Sequence, residues 1–227
     1  MTPRANNSSR PTRGLWIAFF GPDGVGKSAV IERLQSGGPE EIVAGSMRFH
    51  FRPRVGLPTR ARSPVTEPHD QTPRGWLTST TKLLYWLLDC WLGYVFIVRP
   101  AKRRSQIVIF DRYLPDLLVD RVRYRLPQVV MKFAVALVGL APQPDLCILL
   151  DAPAGRIQQR KQEVSLAESE RQRTSYLQMF AQFPGTLVVD ADRSIDEVTQ
   201  TVATALSQML LSSSSDSRRL SLCPPSI

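Results

Sequence analysis

Apolar runs of strand length alternate with helix-length amphipathic stretches from residue 15 onward. The strand-like runs lie at 15–20, within 42–51, and at 106–110, 146–150 and 186–189. Most are almost continuously apolar instead of alternating, the pattern of strands covered on both faces of a parallel sheet. Between them the spacing predicts helices over 27–35, 77–98, 127–138, 154–162, 166–181 and 195–211, with Gly37 and Gly38 stopping the first. Strands and helices taken in turn predict an α/β domain with a parallel sheet of about five strands flanked by helices. Three strand runs end directly in an aspartate, Asp111, Asp151 and Asp190. In such sheets ligands collect at the carboxyl ends of the strands, so site residues are expected there.

The pattern fades at both ends. Residues 1–13 are polar and arginine-rich, and 212–227 open with four serines and close on two prolines and Ser-Ile, so both read as disordered arms around one domain spanning 14–211. A chain of 227 residues with 43% hydrophobic content is long enough to bury such a core. The run 83–98 is apolar except for Asp89. It is shorter than the ~20 residues a membrane span needs, and a central aspartate is costly in lipid, so it predicts a buried helix and no span. Its outward side is a candidate homodimer or membrane-surface contact.

Charge changes the picture only locally. The formal net charge of +9 is carried mainly by arginine, whose planar fork suits phosphate or carboxylate. No nucleic-acid recognition motif accompanies it, so no specific nucleic-acid partner is expected. Cys90, Cys147 and Cys223 are odd in number and lack metal-ligand spacing. They predict a reducing, cytoplasmic compartment and no zinc site.

The strongest chemical signal follows the first strand run. Gly21-Pro22-Asp23-Gly24-Val25-Gly26-Lys27-Ser28 sits between a strand and a helix, the full setting of a phosphate-gripping loop. Its glycines let consecutive backbone N–H groups turn toward an anion. Lys27 then reaches the β and γ phosphates of ATP, while Ser28 opens the helix and can ligand Mg²⁺. All eight residues are therefore expected to bind ATP, with Ser28 and Asp111 on the metal.

Together with that loop, Ile107-Val108-Ile109-Phe110 running into Asp111-Arg112-Tyr113 resembles the thymidylate kinase family of P-loop nucleoside-monophosphate kinases, over about residues 14–211. The resemblance implies a P-loop NTPase fold and γ-phosphoryl transfer from ATP·Mg²⁺ to a small anionic acceptor, most simply a nucleoside monophosphate. It implies that Asp23 faces the acceptor, that Asp111 organises Mg²⁺ or takes an acceptor proton, and that Arg112 neutralises developing phosphoryl charge. Pro144-Asp145 through Asp151 and Pro153 resembles the next strand and its exit. Arg156, Arg160 and Lys161, then Glu168, Glu170, Arg171 and Arg173, occupy the place of the family's mobile lid. Gly24 stands where some members carry a loop arginine, so the resemblance assigns the catalytic cation to the lid, with Arg156 and Arg160 foremost. The same arginines are also spaced for a solvated helix face. Ala191 and Arg193 resemble the adenine-side loop.

The acceptor side departs from the family pattern. The helix reads Tyr85-Trp86-Leu87-Leu88-Asp89-Cys90-Trp91-Leu92-Gly93-Tyr94, which keeps an aromatic residue, Trp86, and the aspartate, Asp89, but lacks the following arginine and the polar base reader. Ahead of it lies a basic stretch containing Arg48, His50, Arg52, Arg54, Arg60, Arg62, His69 and Arg74. Arg52, Arg54 and Arg74, with Asp23, Trp86, Asp89 and Tyr113, are the acceptor-binding candidates, since paired guanidinium hydrogen bonds hold phosphate or carboxylate well. Asp116, Asp120, Arg121, Arg123 and Arg125 read equally as anion contacts or as a solvated edge. A non-nucleotide acceptor such as a sugar hydroxyl, and a nucleotide-dependent regulatory protein, remain alternatives.

Overall fold

The computed structural model describes residues 14–38, 45–55, 75–121, 123–160 and 165–221, with side chains up to residue 212. Five strands, β1 (Trp16–Phe20), β2 (Ser46–His50), β3 (Ile107–Asp111), β4 (Leu146–Asp151) and β5 (Thr186–Asp190), form one parallel sheet in the order β2-β3-β1-β4-β5. β1, β3 and nearly all of β4 are buried, which is why their sequence reads as continuous apolar runs. Alternation survives only in which layer each side chain feeds. Trp16, Ala18 and Phe20 join one core with Phe110 and Leu149, while Ile17 and Phe19 join the other with Ile109 and Ile148.

The second core is closed by α1 (Lys27–Gly37) and α8 (Ile195–Ser221), through Ile31, Leu34, Val202 and Leu206. The first is closed by α2 (Trp76–Gly93), α4 (Asp116–Val119), α5 (Met131–Leu140) and α7 (Leu166–Phe180). Two short helices also lie among the described residues: α3 (Arg99–Arg103), reached from α2 through a π-helical turn at Tyr94–Val98, and α6 (Ala154–Arg160) after β4. From β1 the chain passes to β2 and β3 on one side, then crosses back to β4 on the other. That reversal opens a crevice at the carboxyl ends of β1 and β3, where ligands of open α/β sheets bind.

The helix expected to be buried over 77–98 is covered on one face only. Leu83, Trp86, Asp89 and Cys90 point into the first core, whereas Leu84, Leu88, Trp91, Val95 and Phe96 are exposed. By length and composition alone the run Trp76–Arg103 is apolar enough to cross a membrane, with 33% of its most apolar stretch buried. Asp89 and Gly93 tie it to the loop after β2 instead. A Cβ at Gly93 would come 2.1 Å from Pro53 Cγ, so only glycine lets that loop lie against the helix. At the other end, α8 continues to Ser221, past the boundary expected at 211.

Candidate active site

The turn after β1 brings the donor residues together. Gly21, Gly24 and Gly26 have φ of 136°, 82° and 106°, a region L side chains rarely adopt, and a Cβ at Gly21 would meet the Leu150 carbonyl oxygen at 2.4 Å. α1 starts at Lys27, so its first N–H groups, which have no partner within the helix, face the loop mouth and favour an anion. Lys27 Nζ donates to the carbonyls of Gly21 at 2.7 Å and Pro22 at 2.8 Å. Burial, and then the nearby Arg112 charge, push its ammonium down to about 7.

Ser28 Oγ donates to Asp111 Oδ2 at 2.9 Å, and Arg48 Nη2 donates to the same oxygen at 2.9 Å. Burial alone would raise the Asp111 pKa; the hydrogen bonds from Arg48 and Ser28 outweigh it and hold the carboxyl below its usual range. A hydroxyl and an ionised carboxylate at the loop mouth suit Mg²⁺, which binds through one or two protein oxygens plus phosphates and water. Among the described residues no cluster of three ligating side chains forms a separate metal cage. Arg48, read from sequence only as part of the basic stretch, enters because β2 lies beside β3 in register, with Arg48 opposite Ile109 and His50 opposite Asp111.

On the acceptor side Asp23 accepts from both Arg112 Nη2 and Arg123 Nη1. Burial would raise its pKa, but Arg112, Lys27 and Arg123 together hold the carboxyl low. Arg112 is itself 4% exposed, sits at φ 72° and donates through Nη1 to both oxygens of Asp116, at 2.8 and 2.7 Å. Asp116 is wholly buried and also accepts from Tyr176 Oη and from Tyr124 Oη, the latter at 2.7 Å. Arg112 is thus locked into a buried network and positions Asp23, which limits its freedom to follow a moving phosphoryl group.

The wall beyond is aromatic and cationic. Phe51 stacks on Tyr124 with ring centres 4.9 Å apart, and Trp86 meets Phe51 edge-on at 5.1 Å. Arg52 donates to Asp89 Oδ2 at 2.9 Å and lies 5.5 Å from the Trp86 ring centre; Lys82 Nζ lies 4.2 Å from the same ring. Asp89 uses its other oxygen to accept from Val55 N at 2.9 Å, so it fixes the loop that carries Arg52. Arg54 is exposed with φ 54°. Arg74, Arg60, Arg62, His69 and Lys161 lie outside the described residues.

Some expected residues stand elsewhere. Tyr113 is 1% exposed in the first core, edge-on to Trp16, and donates to the Pro142 carbonyl at 2.9 Å, so it does not line the cleft. Ala191 and Arg193, with Val25, Gly26, Ala29 and Arg160, line a cavity of about 360 Å³ beside the loop, of the right scale for a nucleotide base. Arg160 donates to the Ala191 carbonyl at 2.8 Å, on that base side. Arg156 pairs with Asp192 at 2.7 Å on the surface, and Arg173 forms a fork with Asp151 at 2.8 and 3.0 Å. Each of these three lid guanidiniums is tied to a strand end or to the loop after β5. Cys90 and Cys147 are buried, and burial pushes both thiols up to about 12, which leaves them inert.

A phosphate loop at the switch point of a five-stranded parallel sheet, with a Ser–Asp pair at its mouth and a base-sized cavity beside it, defines a P-loop phosphotransferase. No family model matches the chain. It is 31% identical over 219 residues to the thymidylate kinase of Chromohalobacter salexigens, covering 88% of this chain and 99% of that protein. It is also 31% identical over 204 residues to that of Leifsonia xyli subsp. xyli, covering 84% and 92%. Among solved structures, the thymidylate kinase of Candida albicans superposes with a TM-score of 0.62 at 17% identity, over 86% of this chain and 92% of that one. That of Ehrlichia chaffeensis gives 0.54 at 19%, over 85% and 98%. The chain belongs to the thymidylate kinase family. It is an ATP-dependent phosphotransferase of the nucleoside-monophosphate kinase type, working with Mg²⁺, and the non-nucleotide alternative is not favoured.

Proposed function

We propose that this site moves the γ-phosphoryl group of ATP onto the phosphate of a nucleoside monophosphate, with thymidylate, for which its relatives are named, the first acceptor to test. The observation that carries the reading is Asp23, a residue of the donor loop whose carboxylate is gripped by two arginines of the acceptor wall. Donor and acceptor are thereby held against one another, and an acceptor that is already a phosphate needs positioning more than a strong base.

In this reading Lys27 leaves the Gly21 and Pro22 carbonyls for the β and γ phosphates, whose charge also restores its full protonation. Ser28 and Asp111 would hold Mg²⁺, which supplies charge neutralisation and orientation of the phosphates. Arg48 gives up Asp111 when a cation takes its place. The cavity of Ala191, Arg193 and Arg160 receives the adenine, and Arg52, braced by Asp89, faces the acceptor together with Trp86. Arg156 reaches phosphate only if it leaves Asp192, a partly exposed pair that costs little to break. ADP release measured across a panel of nucleoside monophosphates tests the assignment. At least one should accelerate it strongly over ATP alone; a flat response across the panel removes the nucleotide acceptor.

The exposed row Leu84, Leu88, Trp91, Val95 and Phe96, flanked on α5 by Val135 and Leu140, supports a homodimer of a cytoplasmic enzyme. Leu88→Glu should convert the dimer to a monomer in light-scattering chromatography. A wild-type chain that is monomeric, or that floats with lipid vesicles, would overturn this.

A further inference from the structure

The Asp111 oxygen that meets Ser28 is already taken by a cation. Oδ2 accepts from Ser28 Oγ and from Arg48 Nη2, both at 2.9 Å. The Asp111 side chain is 6% exposed and that of Arg48 29%, so water screens this pair less than it screens a surface ion pair. Both backbones are set. Arg48 lies within the β2–β3 ladder opposite Ile109, and Phe51 N, just past β2, donates to the Asp111 carbonyl at 3.0 Å. The guanidinium has a second carboxylate within reach: its Nη1 stands 3.4 Å from Glu32 Oε1 on α1, a side chain 71% exposed. Arg48 can therefore leave Asp111 without becoming a bare charge.

A guanidinium and a divalent cation compete for one carboxylate. One hydroxyl and one carboxylate are a sparse ligand set for Mg²⁺, an ion that gives up its waters reluctantly and is bound chiefly where substrate phosphates add oxygens. Against a shielded, charge-assisted ion pair that sparse set does not win. Phosphates in the loop change the balance, because they supply further ligands while the exposed Glu32 receives the guanidinium. Before that exchange Arg48 has an electrostatic function of its own. It neutralises a carboxylate that would otherwise face the triphosphate, whereas Lys27 acts on Asp111 through space alone.

We propose that Arg48 is the internal counter-cation of Asp111: it keeps free divalent metal out of the empty loop and yields the carboxylate when nucleotide phosphates share the ion. The proposal rests on the ATP·Mg²⁺ reading of the loop and is independent of the acceptor.

The test compares wild type, Arg48→Met and Arg48→Lys, each checked for its fold by circular dichroism. Mn²⁺ is titrated into the nucleotide-free protein, and the free ion is read by electron paramagnetic resonance. Calorimetry then gives the Kd of a non-hydrolysable ATP analogue in excess Mg²⁺ and in EDTA. Removing a charge-assisted competitor predicts that Arg48→Met tightens the nucleotide-free Mn²⁺ Kd by about 10- to 100-fold. The same variant should weaken the analogue in EDTA by about 10-fold or more, since Asp111 then opposes the phosphates uncompensated. In excess Mg²⁺ the analogue Kd should stay within ~3-fold of wild type, because the guanidinium has left the carboxylate in that state. Arg48→Lys should fall between, keeping the charge without the fork. A structural ion pair predicts no such opposite movement of metal and metal-free nucleotide. A Mn²⁺ Kd that is unchanged or weaker in Arg48→Met overturns the proposal, as does a Mg²⁺ dependence of analogue binding that fails to grow. Should Arg48→Met not fold, the sign of the Mn²⁺ change in Arg48→Lys decides. If wild type binds no ATP analogue, the nucleotide reading fails while the Mn²⁺ titration still decides Arg48.

Discussion

The donor and acceptor sides of the crevice, each proposed to hold an anion, are built by different means. On the donor side the unusual backbone angles fall on glycines, Gly21, Gly24 and Gly26, and the groups proposed to bind are main-chain N–H plus one lysine. On the acceptor side positive φ falls on Phe51, Arg54, Arg112 and Arg125, where each costs strain that packing must offset. The groups proposed to bind there are arginines, of which Arg48, Arg52, Arg112 and Arg123 are each matched to a carboxylate. A glycine loop tolerates change around it, whereas a strained, ion-paired wall depends on every neighbour. Specificity is therefore expected to reside where the strain does.

That contrast can be broken from the donor side first. Lys27→Ala should lower kcat by about 10²–10³-fold or more while the fold persists, since the loop is set by glycine geometry and not by the lysine. Circular dichroism and melting temperature should match wild type, and full retained activity would contradict the scheme. On the acceptor side a comparable charge change should strike stability. Asp116→Asn leaves buried Arg112 short of a counter-charge and should cost about 3–5 kcal/mol in urea unfolding. The pH dependence follows with a definite sign. Burial pushes the Asp116 pKa up, but Arg112, Tyr176 and Tyr124 outweigh it and hold it below the usual value, so its stabilisation is full above about pH 4 and is lost as pH falls through the lowered folded value. Asp116→Asn should flatten the acid limb of the stability curve.

A smaller change sharpens the comparison. Gly93→Ala drives a methyl into Pro53 and should cost about 1–3 kcal/mol while displacing Arg52, so acceptor KM rises and ATP affinity holds. The smallest effect is expected at the Arg173–Asp151 pair of the lid, which is partly buried. Arg173→Ala, which removes the fork to Asp151, should change stability by under about 1 kcal/mol.

These two sides also explain what the sequence disclosed. The loop 21–28, the aspartate ending β3 and the five-stranded parallel sheet were legible because each depends on neighbours in sequence: glycine spacing, an apolar run, a helix start. Asp89 was legible as a charge in an apolar helix, although its partner Arg52 stands 37 residues earlier and only the close fit of Gly93 on Pro53 brings them together. Arg123 meets Asp23 across 100 residues, and nothing local distinguishes it from Arg121 or Arg125. Tyr113 was misleading for the complementary reason: it follows a signature of site residues, yet the strand end turns it into the core. The one-sided burial of α2 was likewise hidden, because a helix apolar all round carries no mark of which face is covered.

The central claim is phosphoryl transfer to a nucleotide phosphate, and the most direct measurement follows the phosphorus itself. ATP labelled in its γ-phosphoryl group is incubated with Mg²⁺, the protein and each nucleoside monophosphate in turn, and the products are separated. The account predicts label in the terminal phosphate of a nucleoside diphosphate, with none formed by Lys27→Ala. Label found only in inorganic phosphate, or remaining in ATP with every acceptor, would contradict it.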